Sequence, residues 1–175
     1  MKFLSFEPMK KVVAFLFLFV CSLAIAQIYT AKVIGVKDGD TVVILHQGKP
    51  QTIRLAHVDC PEKNQPFGNR AKQFVSDFCF GKEIQVVIAG KPDRNGRWIA
   101  EIFHQNQNLG KQLVRHGLAW HFKRYSNNTN YAALETEARK KKTGLWRDAR
   151  PVAPWDWRKL PKAEKQRLRS KTAVH

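Results

Sequence analysis

Cysteine, acidic groups and long apolar runs are all scarce in this sequence, and each shortage excludes something. Three cysteines in 175 residues cannot make a disulfide-dense scaffold. The six histidines are scattered without paired spacing, and no cysteine partners stand at finger intervals, so nothing supports a zinc site. Only 14 Asp and Glu offset 31 Lys and Arg, leaving a formal net charge of +17. Self-repulsion of that size costs stability and implies an anionic partner, nucleic acid first and anionic lipid or polysaccharide behind it. One unbroken apolar run occurs, Val12 to Cys21, with Lys10 and Lys11 before it and the small residues Ala24 and Ala26 after it. It is short for a membrane span and has the three regions of a secretory signal.

Residues 1–26 are therefore expected to be a signal peptide, with a retained anchor as the other reading and Met9 as an alternative start. Cleavage would give an exported protein, periplasmic or secreted, without a stable membrane anchor. It removes Lys2, Lys10, Lys11 and Glu7, which lowers the charge to +15. Cys21 leaves too. Cys60 and Cys79 then either bridge or stay as two thiols, because spacing alone does not give the Cα separation a disulfide needs.

The first half of the remaining chain reads as strands and tight turns. Strands are expected over Ile28–Val36, Thr41–Leu45 and Gln51–Val58, with Asp38-Gly39 and Gln47-Gly48 as turns. In the third, Ile53 and Leu55 share a face and Arg54 points the other way. Ala71, Phe74, Val75 and Phe78 follow helical spacing, which predicts a helix over about 69–80 with Gly81 behind it. Strands Glu83–Ile88 and Trp98–Phe103 follow, then a short helix around Leu109, Leu113 and Val114, and a third helix from Tyr131 to Lys142. The order βββ-α-ββ-α-α is mainly β and suits a five-stranded OB-fold barrel with three helices. This domain spans 27–150. Residues 151–175 add a Pro/Trp strap, Pro151 to Trp157, and a basic tail expected from its composition to be disordered.

Asp40, Asp59 and Glu62 lie where strands meet loops, with Arg54 and Arg97 placed comparably. Singly, each is an ordinary turn or surface residue. Together they match a chemical need. Phosphodiester hydrolysis wants a hard cation on carboxylates, a base for water, and arginine forks on the charge that builds on phosphate. Trp120, Phe122 and Tyr125 alternate with His121, Lys123 and Arg124, which suits base stacking beside phosphate contacts. The other reading places Trp120 and Phe122 in the core. His57 reads as a packed, hydrogen-bonded histidine and not as a ligand.

Asp-Gly-Asp-Thr-Val from Asp38, Ile-Arg-Leu-x-x-Val-Asp-Cys-Pro-Glu from Ile53, Gln-Pro-Phe-Gly from Gln65, Asp-Arg-Asn-Gly-Arg from Asp93 and Leu-Val-Arg-His-Gly-Leu-Ala from Leu113 resemble the staphylococcal nuclease family, in family order and spacing. The resemblance runs from about Tyr29 to Trp146. It implies Ca2+ on Asp40, Asp59 and the backbone carbonyl of Cys60, where the family often has threonine. It also implies water activation by Glu62, phosphate contacts from Arg54 and Arg97, and cleavage of DNA and RNA to products with 3′-phosphates. Tyr125 and Lys123 fall at nucleotide-side positions, although Lys123 and Asn95 stand where the best-known member has tyrosine. The competing reading is a non-catalytic nucleic-acid-binding OB module, which would be expected to lose the carboxylates. A monomer is the expected state.

Overall fold

The computed structural model describes residues 28–172, so the expected signal peptide lies outside the described residues. The first three strands are β1 (Ile28–Val36), β2 (Thr41–His46) and β3 (Lys49–Leu55). A short strand β4 (Val58–Asp59) and helix α1 (Gly68–Cys79) lead to β5 (Glu83–Ile88) and β6 (Trp98–His104). Strand order is β3-β2-β1-β5-β6, and β3 pairs in parallel with β6, Arg54 opposite Ile99. That last pairing closes a five-stranded barrel, as the element order led one to expect.

Period-2 alternation fills the interior. Val33, Val42, Ile44, Ile53, Ile84, Val86 and Ile102 are buried, while Lys32 and Ile34 beside Val33 face out. Each such aliphatic group stabilises the fold by roughly 1.5–3 kcal/mol. Helix α1 closes one side of the barrel with Ala71, Val75 and Cys79. Its first residue must be glycine, because a Cβ on Gly68 would run into the Glu62 carbonyl.

A two-residue strand β7 (Gln107–Asn108) precedes α2 (Leu109–Arg115), whose first turn is capped by the Asn108 side chain accepting from Lys111 N–H at 2.9 Å. Strand β8 (Trp120–His121) and helix α3 (Thr129–Lys140) follow. On α3 Glu135 and Arg139 pair at 3.1 Å, with Glu135 buried.

The third strand ends three residues earlier than the sequence suggests. His57 takes a left-handed backbone, φ 68°, and swings the chain out of the barrel, so that β4 pairs with β8. Its ring is fixed by Ser126 Oγ at 2.8 Å and Glu101 Oε1 at 3.0 Å, which stabilise a conformation that is uncommon for a non-glycine residue. The hydrogen-bonded reading of His57 holds, but on a turn and not on a strand.

Beyond a 3₁₀ turn at Gly144–Arg147, the strap winds into a short helix α4 (Pro154–Trp157). Ala153, Pro154 and Trp157 are buried, and Trp155 stacks on Phe122 at 5.4 Å and 7°. The tail is not disordered as its composition suggested: Lys162–Thr172 forms helix α5. Its Lys, Arg, Gln, Glu and Leu residues are good helix formers. Glu164 and Arg167 pair across a turn, and Leu168 lines a small pocket with Val152 and Trp157. Charge density alone is a poor guide where local propensity and one apolar anchor act together. Among the described residues no helix is long and apolar enough to cross a membrane.

Candidate active site

The site forms where the β1–β2 turn, the end of β3, and β4 with the segment after it meet. Asp38 accepts from the Asp40 N–H at 3.0 Å, and the Asp40 carbonyl receives Leu55 N–H at 2.8 Å, which pins the turn against β3. Gly39 is required for this close approach. A Cβ there would lie 2.7 Å from that of Ala71 and 2.8 Å from that of Cys60.

Arg54 points away from the core, as the strand period demands, and its guanidinium joins the two aspartates. It pairs with Asp40 Oδ1 and, at 2.8 Å, with Asp59 Oδ1. Both carboxylates are buried, at 6% and 1% exposure, so each has lost most of its water. The other oxygen of Asp40 accepts the Cys60 N–H at 2.7 Å. The Cys60 thiol donates to the Gly39 carbonyl at 3.1 Å. Cys60 and Cys79 are free thiols, both buried. Burial pushes the Cys60 thiol well above its usual pKa against the opposing pull of Arg54, and raises Cys79 to about 12.

Glu62 follows Pro61 on the same loop. Its N–H donates to Gln65 Oε1 at 3.1 Å, and its carboxylate is half exposed. The partner of that carboxylate is Arg158, just past α4, at 2.7 Å from Nη1. Nη2 of the same guanidinium reaches Asp59 Oδ2 at 2.7 Å. Desolvation works against the Arg158 charge, but the bonds to Asp59 and Glu62 outweigh it and hold its pKa above the usual value. Three carboxylates and two guanidiniums thus form one connected cluster with a formal surplus of one negative charge.

Not every expected residue joins it. Arg97 turns back onto its own loop, pairing with Asp93 at 2.7 Å. Slight desolvation acts to raise the Asp93 pKa, and hydrogen bonds from Arg97 and Asn95 overcome it and hold the carboxyl below its usual range. Lys123 lies on the surface near Glu135, at 3.4 Å. Tyr125 is 72% exposed, against Phe122 and beneath Arg124. Trp120 is core, packed on Trp146 and Trp155, which decides for the bland reading of that residue.

Among the described residues no three His, Cys, Asp or Glu side chains gather as a metal shell. The donors available are the hard carboxylate oxygens of Asp40 and Asp59. Such a set fits a hard cation that completes its coordination with carbonyl and water oxygens, and does not fit zinc.

Sequence reasoning missed Arg158 and Gln65. One basic residue among many in a charged tail has no distinguishing mark. The available clue was the pair Trp155 and Trp157, large apolar side chains that must dock somewhere and carry Arg158 with them.

The family model described as staphylococcal nuclease homologue matches residues 52–148. An uncharacterized endonuclease of Haemophilus influenzae is 38% identical over 134 residues, 76% of this chain and 75% of that protein. A micrococcal nuclease of Shigella flexneri is 34% identical over 145 residues, 77% of this chain and 83% of its own length. Protein ParB of Escherichia coli is 32% identical over 170 residues, covering 91% of this chain and 95% of that one.

Proposed function

This chain belongs to the staphylococcal nuclease homologue family, and from that premise we propose that it is an exported, calcium-dependent endonuclease. It hydrolyses DNA and RNA to products with 3′-phosphates and acts as a monomer. The observation that carries this reading is the convergence of two buried aspartates on one arginine with Glu62 beside them. A module that only binds nucleic acid has no use for buried carboxylates, which repel phosphate. The runner-up, a non-catalytic OB module, leaves that convergence unexplained.

Asp40 and Asp59, with the Cys60 carbonyl, are the residues that would hold the ion. When bound, calcium supplies charge that polarises the phosphate oxygens. Glu62 accepts the proton of the attacking water, whose oxygen bonds to phosphorus as the P–O5′ bond breaks and the 5′ oxygen leaves as a hydroxyl with a proton from solvent. Arg54 is already bonded to both aspartates, so it stands beside the phosphate oxygens on which charge builds. Arg97 must leave Asp93 to reach the same phosphate, and its planar fork suits that exchange of one oxyanion for another. Tyr125 offers an exposed ring for stacking, with Lys123 for a backbone phosphate.

The test is digestion of plasmid DNA and of RNA with calcium, and again with excess chelator. Both substrates should be cut in calcium and neither in chelator. Full cleavage in chelator would overturn the metal assignment, and no cleavage in calcium would return the binding module to first place.

A further inference from the structure

The proposed machinery uses Glu62 as a base, yet nothing in its own loop holds the carboxylate. The side chain is 42% exposed, and among the described residues its carboxylate has one partner, Arg158. A flexible glutamate in that position samples several rotamers, few of which reach a water beside the aspartates.

We propose that Arg158, delivered by the C-terminal extension, is a positioning residue of the active site that holds Glu62 in register with Asp59. The inference rests on the nuclease reading above and adds to it a segment beyond the matched domain. Three observations support it. Arg158 spans the two carboxylates with separate nitrogens, each at 2.7 Å, a bridge that needs a planar fork and that lysine cannot make. The residue before it, Trp157, is buried, and Trp155 stacks on Phe122, so the fork stands on a seated element and not on a loose end. Gln65 then ties the same two segments a second time, accepting from Glu62 N–H at 3.1 Å and donating to the Val152 carbonyl at 2.7 Å. Backbone and carboxylate of Glu62 are thus both referenced to the extension. Asp59 Oδ1 accepts from Arg54 at 2.8 Å and from Arg158 Nη1 at 3.5 Å, whereas Oδ2 accepts from Arg158 Nη2 and keeps a second lone pair, so the bridge leaves Asp59 a donor for a metal. It does place a positive charge beside the ligand set.

That charge gives the test opposite signs in two readouts. Arg158→Ala and Arg158→Lys are compared with the full chain in kcat and KM on DNA, in calcium affinity by calorimetry with calcium alone, and in thermal unfolding. For Arg158→Ala, kcat should fall on the order of 10-fold or more with KM little changed, the scale of a misplaced reacting group. Calcium should bind as tightly as to wild type or more tightly, because a neighbouring cation has gone. The melting temperature should hold. Arg158→Lys should recover only part of the loss. An unchanged kcat in Arg158→Ala beside an active wild type overturns the proposal. So does a kcat that rises with tighter calcium binding, which would make Arg158 a plug. A joint fall of kcat, calcium affinity and melting temperature overturns it too, in favour of a structural role. A wild-type chain that cleaves nothing in calcium fails at the proposed function before any variant is read, and takes this inference with it.

Discussion

Arg54 is the residue on which the site turns, because one guanidinium touches both buried aspartates. Arg54→Lys keeps the charge and loses the fork, so turnover should drop on the order of 10²-fold, as for other preorganised charge-stabilising groups. Steady-state kinetics on plasmid DNA checks this, and a near-wild-type rate would remove Arg54 from the chemistry. The two thiols permit a second check at the same scale. Thiolate is the reactive form, and burial pushes the Cys60 thiol well above its usual pKa and raises Cys79 to about 12, so both stay protonated where an ordinary cysteine ionises. Iodoacetamide at about pH 8.5, the usual thiol pKa, should leave Cys60 and Cys79 unmodified in the folded protein and label both after unfolding, as read by mass spectrometry. Asp40, Asp59, Glu62 and Arg54 stand out in the sequence as candidates because they fall in short motifs that turn chemistry and strand period place locally, while their roles come from the family resemblance. Arg158 does not, since its position depends on packing between segments far apart in the chain.

At the scale of elements, the barrel strands and three helices follow from periodicity, and the departures come where tertiary contacts override it. His57 ends β3 early because its ring finds Ser126 and Glu101. Tail residues form α5 where composition suggested disorder, because apolar content is low but helix propensity is high. The strap is the element with the largest consequence. Trp157 is 3% exposed and packs where the strap meets the loop carrying Glu62. Trp157→Ala should therefore cost about 3–5 kcal/mol, as for other buried large aromatics. Urea unfolding would read this as a lowered midpoint with the slope retained, and turnover should fall as Arg158 loses its support. A variant with wild-type stability would mean that the strap is only laid on the surface.

For the whole molecule, charge and site act at different ranges. The formal charge of +17 attracts phosphate backbones without regard to sequence. Helix α5 holds Lys162, Lys165, Arg167, Arg169 and Lys171 against Glu164 alone. A chain ending at Leu160 keeps Arg158 and should still cleave a short oligonucleotide. Its affinity for long DNA should fall, and the slope of log affinity against log salt should flatten. Fluorescence anisotropy across a salt series measures both, and an unchanged slope would show that α5 does not meet nucleic acid. Charge was plain in the sequence, whereas the surplus of one negative charge inside a basic protein emerged only from the assembled cluster.

The central claim is that this acidic cluster performs hydrolysis and does not merely shape a binding surface, and Glu62→Gln tests it most directly. The substitution keeps the shape and one acceptor but removes the charge and most of the basicity. Turnover of DNA under saturating calcium is the measurement, with calcium and DNA affinity as controls. Turnover should fall roughly 10²-fold or more, the usual scale for a positioned acid–base group, while both affinities remain. Turnover equal to wild type would contradict the account, because the water would then have a base other than Glu62.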